Sequence, residues 1–210
     1  MCNKNKSDKK REELIKKNKF PVVYSKVKEK YLFLHSVMDN YIFVLSEDNF
    51  AILSFAAPAF FYFTLKSMEL SMIATITELF NKKTVVGVQT LVKIARENNP
   101  KDEKIKEDCE SIIRCIKNNK LLLKNLRTAR NKVYCHFDLQ CLDEQFIGEL
   151  IKTIQPKEIK RFLNESESYI TDLKMHYYKD GRKEILSYMN GPDVDNLIEI
   201  IKGADEGRHF

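Results

Sequence analysis

The chain has 210 residues, 43% of them hydrophobic and 31% charged, with six Gly, five Pro, no Trp and a net charge of +6 at pH 7. That length supports one sizeable core, and the balance excludes collagenous, disordered and disulfide-framework proteins in favour of a helix-rich globular one. Residues 1–19 carry eight Lys/Arg against three Asp/Glu, so most of the net charge sits in a basic N-terminal tail and the body is close to neutral.

Residues 1–20 are expected to be a flexible basic tail, and residues 21–210 a single all-α domain. No apolar run follows the basic start, which reads as a cytoplasmic chain rather than a secreted one. Spacings of 4, 3, 4, 3 and 4 join Val27, Tyr31, Leu34, Met38, Tyr41 and Leu45 into the core stripe of a first helix. The stretch FAILSFAAPAFFYFTL, residues 50–65, holds sixteen residues without a charge. It is short of the roughly 20 residues a membrane span needs, so no membrane is expected. Pro58 instead opens a buried central helix over residues 58–80, faced by Leu65, Met68, Met72, Ile76 and Leu79.

Thr84 is positioned to cap a short third helix ending at Arg96, and ENNPKDE makes a loop. A long helix is expected over residues 101–137, then a segment at 143–153. A helix opened by Pro156 follows, with Ile159, Phe162, Ser166, Tyr169, Leu173 and Tyr177 on one side, and a peripheral last helix at 193–203. The architecture expected is an antiparallel up-and-down bundle of four or five long helices plus short ones. Cys2, Cys109, Cys115, Cys135 and Cys141 contain no C-x2-C pair and read as reduced thiols rather than a zinc set with His136. His35 and His176 read as core-edge histidines. No metal or cofactor is implied.

The long helix breaks its own pattern. Steps of three and four from Cys109 give Ile112, Ile116, Asn119, Leu123, Leu126, Arg130, Val133 and Phe137, so Arg130 stands in an apolar stripe. An unpaired guanidinium there is costly. It calls for an anion, a wet pocket, a partner subunit or an intrachain carboxylate. On a straight helix His136 lies about 120° round from Arg130 and roughly 9 Å along it, so the two flank a seam that a second copy could complete. Residues 111–137 hold seven Lys/Arg and no acid. Lys120, Lys124 and Arg127, with Lys132 further on, form a track suited to a phosphate backbone.

The string ARNKVYCHFD, an Arg followed by a polar residue and a His late on a long helix, resembles the HEPN superfamily. With YFTLKSMELSMIATITELFNKKTVVGVQTLVKIARENN it is similar to the AbiU-type abortive-infection proteins, specifically their second component, over about residues 25–180. The resemblance implies an all-α bundle that dimerises and a metal-independent ribonuclease shared between protomers, with RNA as the partner and an antitoxin or second abortive-infection protein as another. It implies that Arg130 holds the scissile phosphate, His136 moves protons, and Asn131 orients the phosphate or His136. Asp138 stands where toxins silenced by a nucleotidyltransferase carry a Tyr, so tyrosine adenylylation is not implied. Many members of the superfamily bind nucleotides, RNA or protein without cleavage, which is the alternative function.

Overall fold

The computed structural model describes residues 19–47, 49–50, 58–134 and 154–178. Val27, Tyr31, Leu34, Met38 and Tyr41 close into the buried face of α1 (Phe20–Val44), which also buries Phe20 and Val23. Leu45 does not extend that stripe. It is the C-cap, 39% exposed, and its N–H turns back to the Tyr41 and Phe43 carbonyls.

The next helix is described from Pro58 as α2 (Pro58–Leu79). Met72, Ile73, Ile76, Thr77 and Leu79 are buried, but nothing before Met72 is. The expectation of a buried central helix therefore holds for its last two turns only. Leu65 and Met68 are half-buried, and Phe60 and Phe63 are 66% and 67% exposed. Among the described residues no helix is long and apolar enough to cross a membrane. α1 and α2 run antiparallel, with the Tyr41 hydroxyl donating to Glu69 at 2.7 Å and Lys30 paired with Glu78 at 2.7 Å.

The third helix, α3 (Val88–Asn98), starts later than expected because Gly87, not Thr84, is its N-cap. A Cβ on Gly87 would lie 2.7 Å from the Leu79 carbonyl oxygen, so only glycine lets the chain turn back so tightly over the end of α2. The Thr84 carbonyl accepts the Thr90 hydroxyl at 2.9 Å instead. Asp102 caps α4 (Glu103–Asn118) by accepting the Ile105 N–H at 3.1 Å, and Glu103 adds an acid in the first turn. The long helix expected over residues 101–137 is interrupted at Asn119, whose side-chain amide donates to the Cys115 carbonyl at 2.9 Å. α5 (Lys120–Thr128) follows and passes into a π turn, Ala129–Tyr134. Cys109 and Cys115 are buried free thiols, each pushed up to about 12, first of all by burial. They pack as small apolar groups and stay unreactive at neutral pH.

The last described helix, α6 (Pro156–Tyr177), buries Ile159, Phe162, Leu163, Ser166, Ile170 and Leu173. Tyr169, expected on that face, is half-buried and Ile170 takes its place. Hydrogen bonds from Tyr31 to Ser166 (2.8 Å), Lys28 to Glu167, His35 to Glu167 (2.7 Å) and Lys160 to Asp39 (2.8 Å) run α6 antiparallel to α1. Phe80, just past α2, meets Phe162 at 4.7 Å and Tyr31 edge-on at 6.4 Å, closing the core. Every regular element among the described residues is helical, as expected for an all-α antiparallel bundle. The segments expected at 143–153 and 193–203 lie outside the described residues. The chain divides into two units, Met1–Leu173 and Lys174–Phe210, and of the second only residues 174–178, the end of α6, are described.

Glu167 gives the α1–α6 contact a pH dependence. Partial burial alone pushes its carboxyl up, but hydrogen bonds from Lys28 and His35 outweigh this and hold it below the ordinary 4.5. A carboxyl that is a stronger acid folded than unfolded stabilises the fold above its unfolded value, and the gain is lost as pH falls through the folded one. Denaturant melts are therefore expected to show falling stability as pH drops below about 5. Glu167→Gln should lower stability at neutral pH and flatten that acid limb, whereas an unchanged limb would assign it to other carboxylates.

Candidate functional site

The helix containing the Arg-x5-His pattern does not present its arginine as the sequence stripe suggests. The buried line runs Cys109, Ile112, Cys115, Leu122, Leu126 and Ala129, one position ahead of the line through Ile116, Leu123 and Arg130. Ala129 fills the core position and Arg130, half-buried, lies at its edge. This corrects the expected burial of Arg130 and removes the need for a core carboxylate to neutralise it.

Two neutral acceptors hold the guanidinium. Nη1 donates to Thr77 Oγ1 at 3.1 Å, and Nε donates to Asn131 Oδ1 at 3.0 Å. Thr77 is 3% exposed on α2, and its hydroxyl donates in turn to the Ala74 carbonyl at 3.0 Å. The chain of bonds is directional: Thr77 uses its one proton on Ala74 and offers Arg130 a lone pair. Among the described residues no carboxylate lies within ion-pair distance of Arg130. Among the described residues its charge is thus fixed in place without being cancelled, and neither bond uses Nη2.

Backbone geometry contributes as well. Arg130 and Asn131 lie on the π turn, a wider helical form that recurs at functional sites. Over that turn the straight-helix angle of about 120° between Arg130 and His136 no longer applies. His136 itself lies outside the described residues, as do Asp138, Cys135 and Cys141, so the structure brings Arg130 and Asn131 together and does not place the third member. Lys132 is on the π turn.

Lys120, Lys124 and Arg127 are all exposed on α5, within about 60° of one another. Arg114 and Lys117 continue the exposed basic surface onto α4. None of the five has a carboxylate within ion-pair distance among the described residues. Thr77 is the site residue that sequence reasoning missed. It stands 53 positions before Arg130, and its one local signal is a hydroxyl set beside the apolar line of α2. Among the described residues no three His, Cys, Asp or Glu side chains are placed to hold a metal ion.

No curated protein and no solved structure matches the chain significantly. The family model HEPN AbiU2, described as AbiU2, matches residues 16–196. That span takes in every described helix, the π turn and the Arg-x5-His pattern, and the chain therefore belongs to the AbiU2 family of HEPN proteins.

Proposed function

We propose that this AbiU2-family chain is a metal-independent endoribonuclease of the phage-defence or toxin type, with Arg130, Asn131 and His136 acting where two copies of the chain meet. The observation that carries the reading is the guanidinium of Arg130, steered by Thr77 and Asn131 on a π turn and without a carboxylate partner among the described residues. A fixed, planar cation suits the oxygens of a phosphodiester, and its attraction grows as the attacked phosphorus gathers negative charge. The nucleophile is the adjacent 2'-hydroxyl, whose oxygen bonds to phosphorus as the bond to the 5'-oxygen breaks. His136 takes the proton from the first oxygen while water protonates the second, or protonates the second while water takes the proton of the first, work suited to an imidazole. Asn131 orients the phosphate or His136. Lys120, Lys124, Arg127 and Lys132 hold the strand on either side through its backbone, without reading sequence. An antitoxin or a second abortive-infection protein would restrain the activity.

The test is cleavage of a mixed RNA pool by the purified full-length chain in EDTA. Cleavage should survive chelation and fall roughly 100- to 10,000-fold in His136→Ala. Equal cleavage by wild type and His136→Ala, or loss of cleavage in EDTA, would overturn the reading. RNA retained without cleavage, and released by Arg130→Ala but not His136→Ala, would make the chain a binding module instead.

A further inference from the structure

We infer that the open side of the first four turns of α2, together with the part of α1 beside it, is the seat of a second copy of this chain. The inference deepens the reading above, which needs two copies, by naming the surface on which they meet. It does not depend on whether RNA is cut.

α2 is long and apolar, yet its first fourteen positions, residues 58–71, bury no side chain. They include Phe60 and Phe63, exposed by 66% and 67%, and Leu70, exposed by 38%. Helices draw most of their stability from packing an apolar face, and one apolar on all sides is normally enclosed. Against this stretch lies a groove of ≈430 Å³ between α1 and α2. Phe33 of α1, 45% exposed, and Phe60, Phe63, Ser67, Met68 and Ser71 of α2 are among the side chains that line it. Exposed rings on the same face as the small side chains of Ser67 and Ser71 supply both projecting and receding groups, as the self-complementary face of a twofold pair requires.

The area matches that occupant. With roughly 200 Å² per aromatic side chain, Phe33, Phe60 and Phe63 alone leave on the order of 350 Å² in water, close to half of the ~800 Å² per partner that a stable interface covers. Leu70 and Val37 extend the patch. The charge pattern argues against a lipid surface, which is met by a row of cations flanking the apolar face. Here the only charged residues in 58–71 are Lys66 and Glu69, paired with each other at 2.7 Å. Depletion of charge with enrichment in Phe and Met is the composition of a protein interface core. Around α2, Leu70 and Phe63 lie within about 20° and 40° of Thr77, so the seat runs up to the helix side on which Arg130 docks.

Light-scattering mass of the full-length chain, measured during size exclusion, tests this. Wild type should run at twice the 24.7 kDa of one chain. The double variant Phe60→Ser, Phe63→Ser should run at half the wild-type mass with unchanged helical circular dichroism. Ser67→Arg, an exposed position where folding is not at stake, should do the same. Arg130→Ala should remain a dimer, so loss of cleavage and loss of pairing separate. A monomeric wild type, or a dimer that survives Ser67→Arg, would overturn the inference. So would a monomeric wild type that sediments with phosphatidylcholine–phosphatidylserine vesicles, which would assign the face to lipid.

Discussion

Replacing Arg130 with alanine is expected to slow single-turnover RNA cleavage by roughly 100- to 1,000-fold, the usual cost of removing one donor aimed at developing negative charge. The melting temperature should move by only a few degrees. Arg130 is half-buried, and Ala129 rather than Arg130 fills the core. Truncation therefore leaves no large cavity. The Thr77 hydroxyl keeps its bond to the Ala74 carbonyl and loses one donor, worth about 1 kcal/mol. Arg130→Lys should recover little of the rate, because an ammonium is a single point charge and cannot bond Thr77 and Asn131 in two directions while facing a phosphate. Thr77→Val, which keeps the shape and removes the acceptor, should give a smaller loss than Arg130→Ala, as a positioning residue would. A large fall in melting temperature with cleavage unchanged would instead make Arg130 a packing element.

Phe162→Ala should be the most damaging core change, lowering stability by about 3–5 kcal/mol. Phe162 is fully buried and sits 4.7 Å from Phe80, which meets Tyr31 edge-on, while Tyr31 bonds Ser166 one turn along α6. One ring thus joins α1, the end of α2 and α6. Against a total stability of about 5–15 kcal/mol this is a large fraction, and at roughly 2–4 °C per kcal/mol the melting temperature should fall by about 10 °C. A calorimetric loss below about 1 kcal/mol would mean that α6 does not depend on this cluster.

Much of the bundle was legible because helical burial writes itself into spacing. The first five of the six residues assigned to the α1 stripe are buried, and Pro156 opens its helix as expected. Spacing alone failed where two parallel lines were available. Ile116 and Leu123 are greasier than Cys115 and tie with Leu122, so the sequence favours a core through Arg130, yet the fold selects the line through Ala129. The open half of α2 was invisible for the opposite reason: apolar composition states that a face wants cover and not what covers it. Thr77 could not be paired with Arg130 from one sequence, since nothing local specifies a contact across 53 residues. The π turn has no residue code either, since its widened hydrogen-bond step is not tied to particular residue types.

That turn bears on how the motif tolerates change in length. Ala129–Tyr134 accommodates its residues in a wider coil than the α5 helix that leads into it. A helix of this kind absorbs one inserted residue locally, and loses one by tightening to α, without displacing the anchored Arg130 at its start. A one-residue insertion or deletion within the turn should therefore leave Arg130 and its bond to Thr77 in register, a tolerance that a straight α-helix, where each added residue rotates everything beyond it by about 100°, does not have.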